Sequence, residues 1–155
     1  MAATWYRRIF MAFQTVFKRY ELKYMLTFAQ KERILEAMAP YMELDKYGRT
    51  TIRNLYFDTD TYLLIRRSIE KPVYKEKLRI RSYSRADSDS TVFAELKKKY
   101  KGVVYKRRIS LAYGEAVLWL SGETYIDQHT QIANEIDYFL NHYGSLHPTV
   151  FLSYE

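Results

Sequence analysis

Three short stretches place charged residues at alternate positions: Lys77, Arg79 and Arg81; Glu95, Lys97 and Lys99; and Lys106 with Arg108. A fourth, Arg19, Glu21 and Lys23, alternates in the same way around a carboxylate. Residues two apart in an extended chain point to the same side, so each stretch reads as a strand with one charged face. Tyr83 continues the face of Lys77, Arg79 and Arg81, with Leu78 and Ile80 opposite, while Tyr105, Arg107 and Ile109 lie opposite Lys106 and Arg108. Arg forks onto two oxygens and Lys supplies a compact charge, so sets like these suit phosphate. A solvated face of a half-buried sheet would account for any one strand. Four strands with the same alternation point instead to a shared binding surface.

Charge along the chain is segregated. The formal net charge is +7, but residues 66–108 hold 15 Lys or Arg against 5 Asp or Glu, and residues 109–155 hold no Lys or Arg and 6 acidic groups. A cationic stretch of this kind implies an anionic partner. It also repels itself: two unit charges about 4 Å apart cost roughly 4 kcal/mol at an effective dielectric near 20. Water, interleaved carboxylates such as Glu21 and Glu95, or a bound polyanion must offset that repulsion. Nucleic acid is the competing partner, but a single-strand binder interleaves aromatics with its cations. Here the aromatics read as falling mostly opposite the cations, so nucleic acid is not expected.

The elements that must hold these residues follow from periodicity. Residues 17–25 read as a strand, Thr27 as an N-cap, and residues 28–42 as a helix with Ile34, Leu35 and Met38 at helical spacing. Gly48 marks a turn, residues 52–57 a strand, Asp58 to Asp60 a cap and residues 62–67 a short helix. Residues 74–83, 91–99 and 103–111 read as strands joined by short turns, hence an antiparallel meander. Helices over 113–120 and 131–143 and a strand over 148–154 complete the reading. The 16 Tyr and 8 Phe fit so many strands.

Several chemistries are excluded or disfavoured. The chain has no cysteine, so there are no disulfides or thiolate metal sites, and no apolar run reaches the roughly 20 residues of a membrane span. His129, His142 and His147 lack metal-ligand spacing and read as surface or helix-end residues. Gly102, Gly114 and Gly122 form no phosphate-cradling loop. Residues 1–16 read as a leader outside the fold, with Met11 an alternative start or Trp5, Ile9 and Phe10 the apolar side of an interfacial helix. Residues 17–155 form the domain.

The motifs FKRYELKY (17–24), LYFDT (55–59), KEKLRIRSY (75–83), FAELKKK (93–99) and VVYKRRISL (103–111) resemble, in order, those of the VTC-type polyphosphate polymerase domain. That family belongs to the triphosphate tunnel, or CYTH-like, superfamily. The resemblance implies an α+β fold: an antiparallel β-sheet forming part of a tunnel barrel, with a charged lumen and helices packed on its outer face. It implies transfer of the γ-phosphate of ATP to a growing inorganic polyphosphate chain, with a divalent metal, Mn or Mg, as cofactor. By motif, Arg79, Arg81 and Lys97 take catalytic roles. Lys23, Arg19, Arg66, Arg67, Lys77, Lys99, Lys106 and Arg108 bind phosphate or nucleotide, and Glu21 and Glu95 support them. The family's metal-binding glutamate would lie beyond Glu155, as would further lumen strands, so the chain reads as the front part of such a domain, unless two chains pair. Arg19 stands where the wider superfamily has a first glutamate, which favours polymerase over triphosphatase. A metal-dependent triphosphatase and a non-catalytic polyanion module remain the alternatives. A cytoplasmic location, at the face of a membrane-protein partner, fits the family's chemistry.

Overall fold

A computed structural model of the chain describes residues 15–43 and 47–155, all but the Arg19 side chain. Ten elements follow one another: β1 (Val16–Tyr20), α1 (Phe28–Met38), β2 (Ile52–Asp58), α2 (Leu63–Ile69), β3 (Tyr74–Ser82), β4 (Thr91–Tyr100), β5 (Val103–Ala112), α3 (Tyr113–Leu120), α4 (Gln131–Tyr143) and β6 (His147–Tyr154). The strands form one six-stranded sheet in the order β1-β5-β4-β3-β2-β6, and every neighbouring pair is antiparallel. The sheet is open, with β1 and β6 at its edges.

The apolar side of the sheet is the core. Leu78, Ile80, Val92, Ala94, Leu96, Ile109 and Leu111 are buried with Ala116, Trp119 and Leu120 of α3 and Ala133, Ile136 and Phe139 of α4. Leu64 anchors α2 in the same cluster. Trp119 donates its indole N–H to Asp137 at 2.8 Å, so this large ring is buried without an unmade hydrogen bond. Lys98 and Arg107 reach the helical side, where both approach Glu135 of α4 at 3.7 and 3.5 Å.

Two caps are built from the residues that the sequence marks. Thr27 accepts from the Gln30 backbone N–H while the Gln30 side chain accepts from Thr27 N–H, a reciprocal capping box. Asp58, at the end of β2, accepts from the backbone N–H groups of Thr59, Leu64 and Ile65. A carboxylate thus faces the positive end of α2.

Three expectations need correction. The first strand ends at Tyr20 rather than continuing to residue 25, because Tyr20 lies opposite Val103, where β5 begins after the Lys101-Gly102 turn, and no partner strand extends further. The first helix stops at Met38, since Pro40 cannot continue a helix and disfavours helical backbone before it. That helix is not packed on the sheet: no residue of α1 is buried, and Phe28 and Leu35 are 77 % and 50 % exposed. The helices on the outer face are α2, α3 and α4. The leader assigned to residues 1–16 lies outside the described residues as far as position 14. Val16 belongs to β1, and the Thr15 carbonyl accepts from Arg108 N–H at 2.9 Å.

Candidate functional site

Register across the meander decides which charges meet. Lys77 of β3 lies opposite Lys97 of β4, which lies opposite Lys106 of β5. The next row is Arg79, Glu95 and Arg108, and the row on the other side is Lys75, Lys99 and Val104. Asn54 and Tyr56 of β2 extend the same face beside Arg81 and Arg79. This face lines a cavity of about 740 Å³, bounded also by Phe17, Glu21, Leu22 and Lys23 at one edge and Leu152 and Tyr154 of β6 at the other.

Glu95 is the centre of the surface. Its side chain is 0 % exposed. Arg79 donates to Glu95 Oε2 through both Nε, at 2.9 Å, and Nη2, at 2.6 Å, and through Nη1 to the Tyr56 hydroxyl at 2.9 Å. Lys106 Nζ lies 3.4 Å from Oε1 and Arg81 Nε 3.7 Å from Oε2. Burial alone would raise the Glu95 carboxyl, but the charges of Arg79, Arg81 and Lys106 outweigh it and hold the group below the usual carboxylate range. The opposite happens at Lys77. Burial, then the charges of Lys75, Lys97, Lys23 and Arg79, push its ammonium below the ordinary lysine value. Burial also lowers Lys106, assisted by Arg108 and Arg81 and resisted by Glu95.

The remaining sequence-assigned residues divide by location. Lys97 donates to both oxygens of Glu21 at 3.1 and 3.2 Å, and Lys23 stands 3.7 Å from Glu21. Lys77 and Lys99 line the cavity with no hydrogen-bond or ion-pair partner among the described residues. Arg108 shares the face but is layered against the rings of Phe17 and Phe93, at 5.1 and 4.5 Å. Arg66 and Arg67 do not join the site. Both lie exposed on α2, and Arg67 sits 6.0 Å above the ring of Tyr143 on the helical side. The Arg19 side chain lies outside the described residues. His129 and His147 each approach one aspartate, and His142 stacks on Tyr138 in the last turn of α4.

Some residues of the site escape the sequence reading. Lys75 has the parity of Lys77 and could have been added to that row. Asn54 and Tyr56 lie on the strand read over residues 52–57, to which the sequence reading assigns no functional face. The reading of the aromatics also needs correction: Phe17, Tyr56 and Phe93 are on the cationic face, because cross-strand register brings them there. Their rings are taken by cations, with Lys106 Nζ 4.0 Å from the Phe17 centroid and Arg79 5.7 Å from that of Tyr56.

A divalent metal does not fit the donors present. Glu95 is enclosed by cations, Glu21 is engaged by Lys97, and no group of three acidic or histidine side chains that could hold an ion occurs among the described residues. Among those residues, no helix is long and apolar enough to cross a membrane.

An open antiparallel sheet with a cationic side and helices beneath its apolar side is an α+β architecture. The chain is similar in fold to a crystal structure from Bacillus halodurans described as a "putative adenylate cyclase", with a TM-score of 0.52 and 17% identity over 90% of this chain. It spans 62% of the length of that structure. The family model of the VTC domain matches residues 18–155, and the chain belongs to the VTC domain family. No curated protein matches it significantly.

Proposed function

We propose that this chain provides the phosphate-binding side of a polyphosphate polymerase, which transfers the γ-phosphate of ATP to the end of an inorganic polyphosphate chain. The observation that carries the reading is the row Lys77, Lys97 and Lys106, with Lys75 and Lys99 in the adjoining row on the same side of the sheet. Phosphoryl transfer asks little covalent work of a protein and depends on alignment and on stabilising charge spread over phosphate oxygens. Unpaired ammonium groups at Lys77 and Lys99 suit a chain of phosphates that slides as it grows, since Lys offers a charge without fixed geometry. The ring faces of Phe17 and Phe93 are covered by Lys106 and Arg108, which leaves them unsuited to stacking nucleobases. The cofactor in this reading is Mn or Mg, but no step is assigned to it because the face offers it no donor set. The partners are ATP and polyphosphate, in the cytoplasm at the face of a membrane protein that takes up the product.

A second reading is a triphosphatase of the same fold, favoured by one observation: Glu21 brings a carboxylate to the lining of the cavity. Incubation with ATP and Mn or Mg, followed by electrophoresis of the products, separates the two. Long phosphate chains support the polymerase. Orthophosphate alone supports the triphosphatase, and tight polyphosphate binding without turnover indicates a binding module. Failure to bind polyphosphate at all overturns the reading of the site.

A further inference from the structure

The two arginines of the R-x-R pair are held in different ways. All three guanidinium nitrogens of Arg79 have partners, two on Glu95 and one on Tyr56. Arg81 has only its Nε engaged, donating to Asn54 Oδ1 at 3.0 Å and standing 3.7 Å from Glu95. Its Nη1 and Nη2 have no hydrogen-bond partner among the described residues, and the side chain lines the cavity. Asn54 is 0 % exposed, and its Nδ2 has no partner among the described residues. A buried amide with an unmade hydrogen bond is retained at a cost in stability that an apolar residue would avoid. The bond to Arg81 is what it gains.

We propose that Asn54 and Glu95 are positioning residues that divide the labour of the pair. Asn54 tethers Arg81 by its Nε so that the Nη1/Nη2 edge is presented to two oxygens of a phosphate, while Glu95 locks Arg79 into the wall. The inference rests on the phosphate-binding reading and refines it, because sequence alone gives the two arginines the same role. The geometry is that of a fork held by its handle. The guanidinium is planar by resonance, so its two terminal nitrogens already match two oxyanion oxygens, and a bond at Nε fixes the direction in which that fork points. Arg79 is charged too, but its charge is matched at contact distance by Glu95.

The probe is inorganic triphosphate, titrated calorimetrically at fixed salt, with thermal melting of each variant alongside. Arg81→Lys keeps the charge and loses the fork, so affinity should fall about tenfold or more with little change in melting. Arg79→Lys should melt markedly lower yet, where folded, lose less than about threefold in affinity. Asn54→Leu should mimic Arg81→Lys in affinity, and Asn54→Asp, which keeps an acceptor for Nε, should recover most of the loss. That rescue separates positioning from mere packing. If Arg79→Lys fails to fold, Tyr56→Phe releases Nη1 alone, and unchanged affinity there supports the division. Equal losses for Arg79→Lys and Arg81→Lys, or wild-type affinity in Asn54→Leu, overturn it. If the wild-type chain takes up no triphosphate, the proposed function fails and this inference with it. If the wild type binds and Arg81→Lys binds equally well, only the inference fails.

Discussion

Lys77 on β3 and Lys97 on β4 lie directly opposite each other on the cavity side of the sheet, yet only Lys97 has a carboxylate, Glu21, at hydrogen-bonding distance. An unpaired cation facing another cation destabilises the empty protein and becomes useful once a polyanion arrives. Lys77→Met should therefore stabilise the ligand-free chain by about 0.5–2 kcal/mol while weakening triphosphate binding. Denaturant melts with and without triphosphate check both signs.

Lys77 and Lys106, the two lowered lysines, predict a pH dependence. Lys77 and Lys106 hold their protons less firmly when folded than the ordinary value of 10.5. In the alkaline range below 10.5 the unfolded chain therefore binds more protons, so stability rises with pH there. Tyr143, pushed up to about 12 by burial and by its hydrogen bond to Glu76, acts in the opposite sense once pH passes 10.0. Melting temperature should rise through the alkaline range and then fall, and Lys77→Met should flatten the rise.

Glu95→Gln should be among the most damaging single changes. It leaves Arg79, Lys106 and Arg81 beside a neutral amide, and removal of one partner of a buried ion pair costs about 3–5 kcal/mol. Chemical denaturation measures the loss, and added polyphosphate should restore part of it. Because the folded carboxyl is held below its ordinary 4.5, the stabilisation it gives is present above 4.5 and disappears as pH falls through the lowered value.

Asp58→Ala removes the acceptor for Leu64 and Ile65 N–H at the start of α2. A cost of about 1–2 kcal/mol is expected, with no change in triphosphate affinity per folded molecule. Thermal melting paired with titration tests this.

Period-two patterning made β3, β4 and β5 readable, because each alternates charged and apolar residues and the turns between them are short. The same patterning placed Arg107 away from Arg108, and the structure puts it against Glu135. What the chain does not spell out is anything that depends on a neighbour across the sheet. Glu95 looks like any carboxylate ahead of a run of lysines until register sets it between Arg79 and Arg108. Arg79 and Arg81 are equivalent in sequence and become distinct only through Tyr56 and Asn54 on another strand. The early end of β1 has the same origin, since Tyr20 runs out of partner rather than of strand-forming residues. The apolar spacing of α1 was a fair signal of a helix but not of its burial.

The sheet separates its signs as well as its polarity. Most lysines and arginines of β3, β4 and β5 are on the cavity side, Lys98 and Arg107 excepted, while Glu115, Glu123, Asp127, Glu135 and Asp137 belong to α3, α4 and the segment joining them, beneath the opposite side. The molecule therefore carries a permanent electric moment running through the plane of the sheet. A long polyanion approaching from solution is turned toward the cavity side before any contact forms and is repelled from the helices. Encounter rate, and not only final affinity, should then drop steeply as ionic strength shortens the reach of that field to about 8 Å near physiological salt.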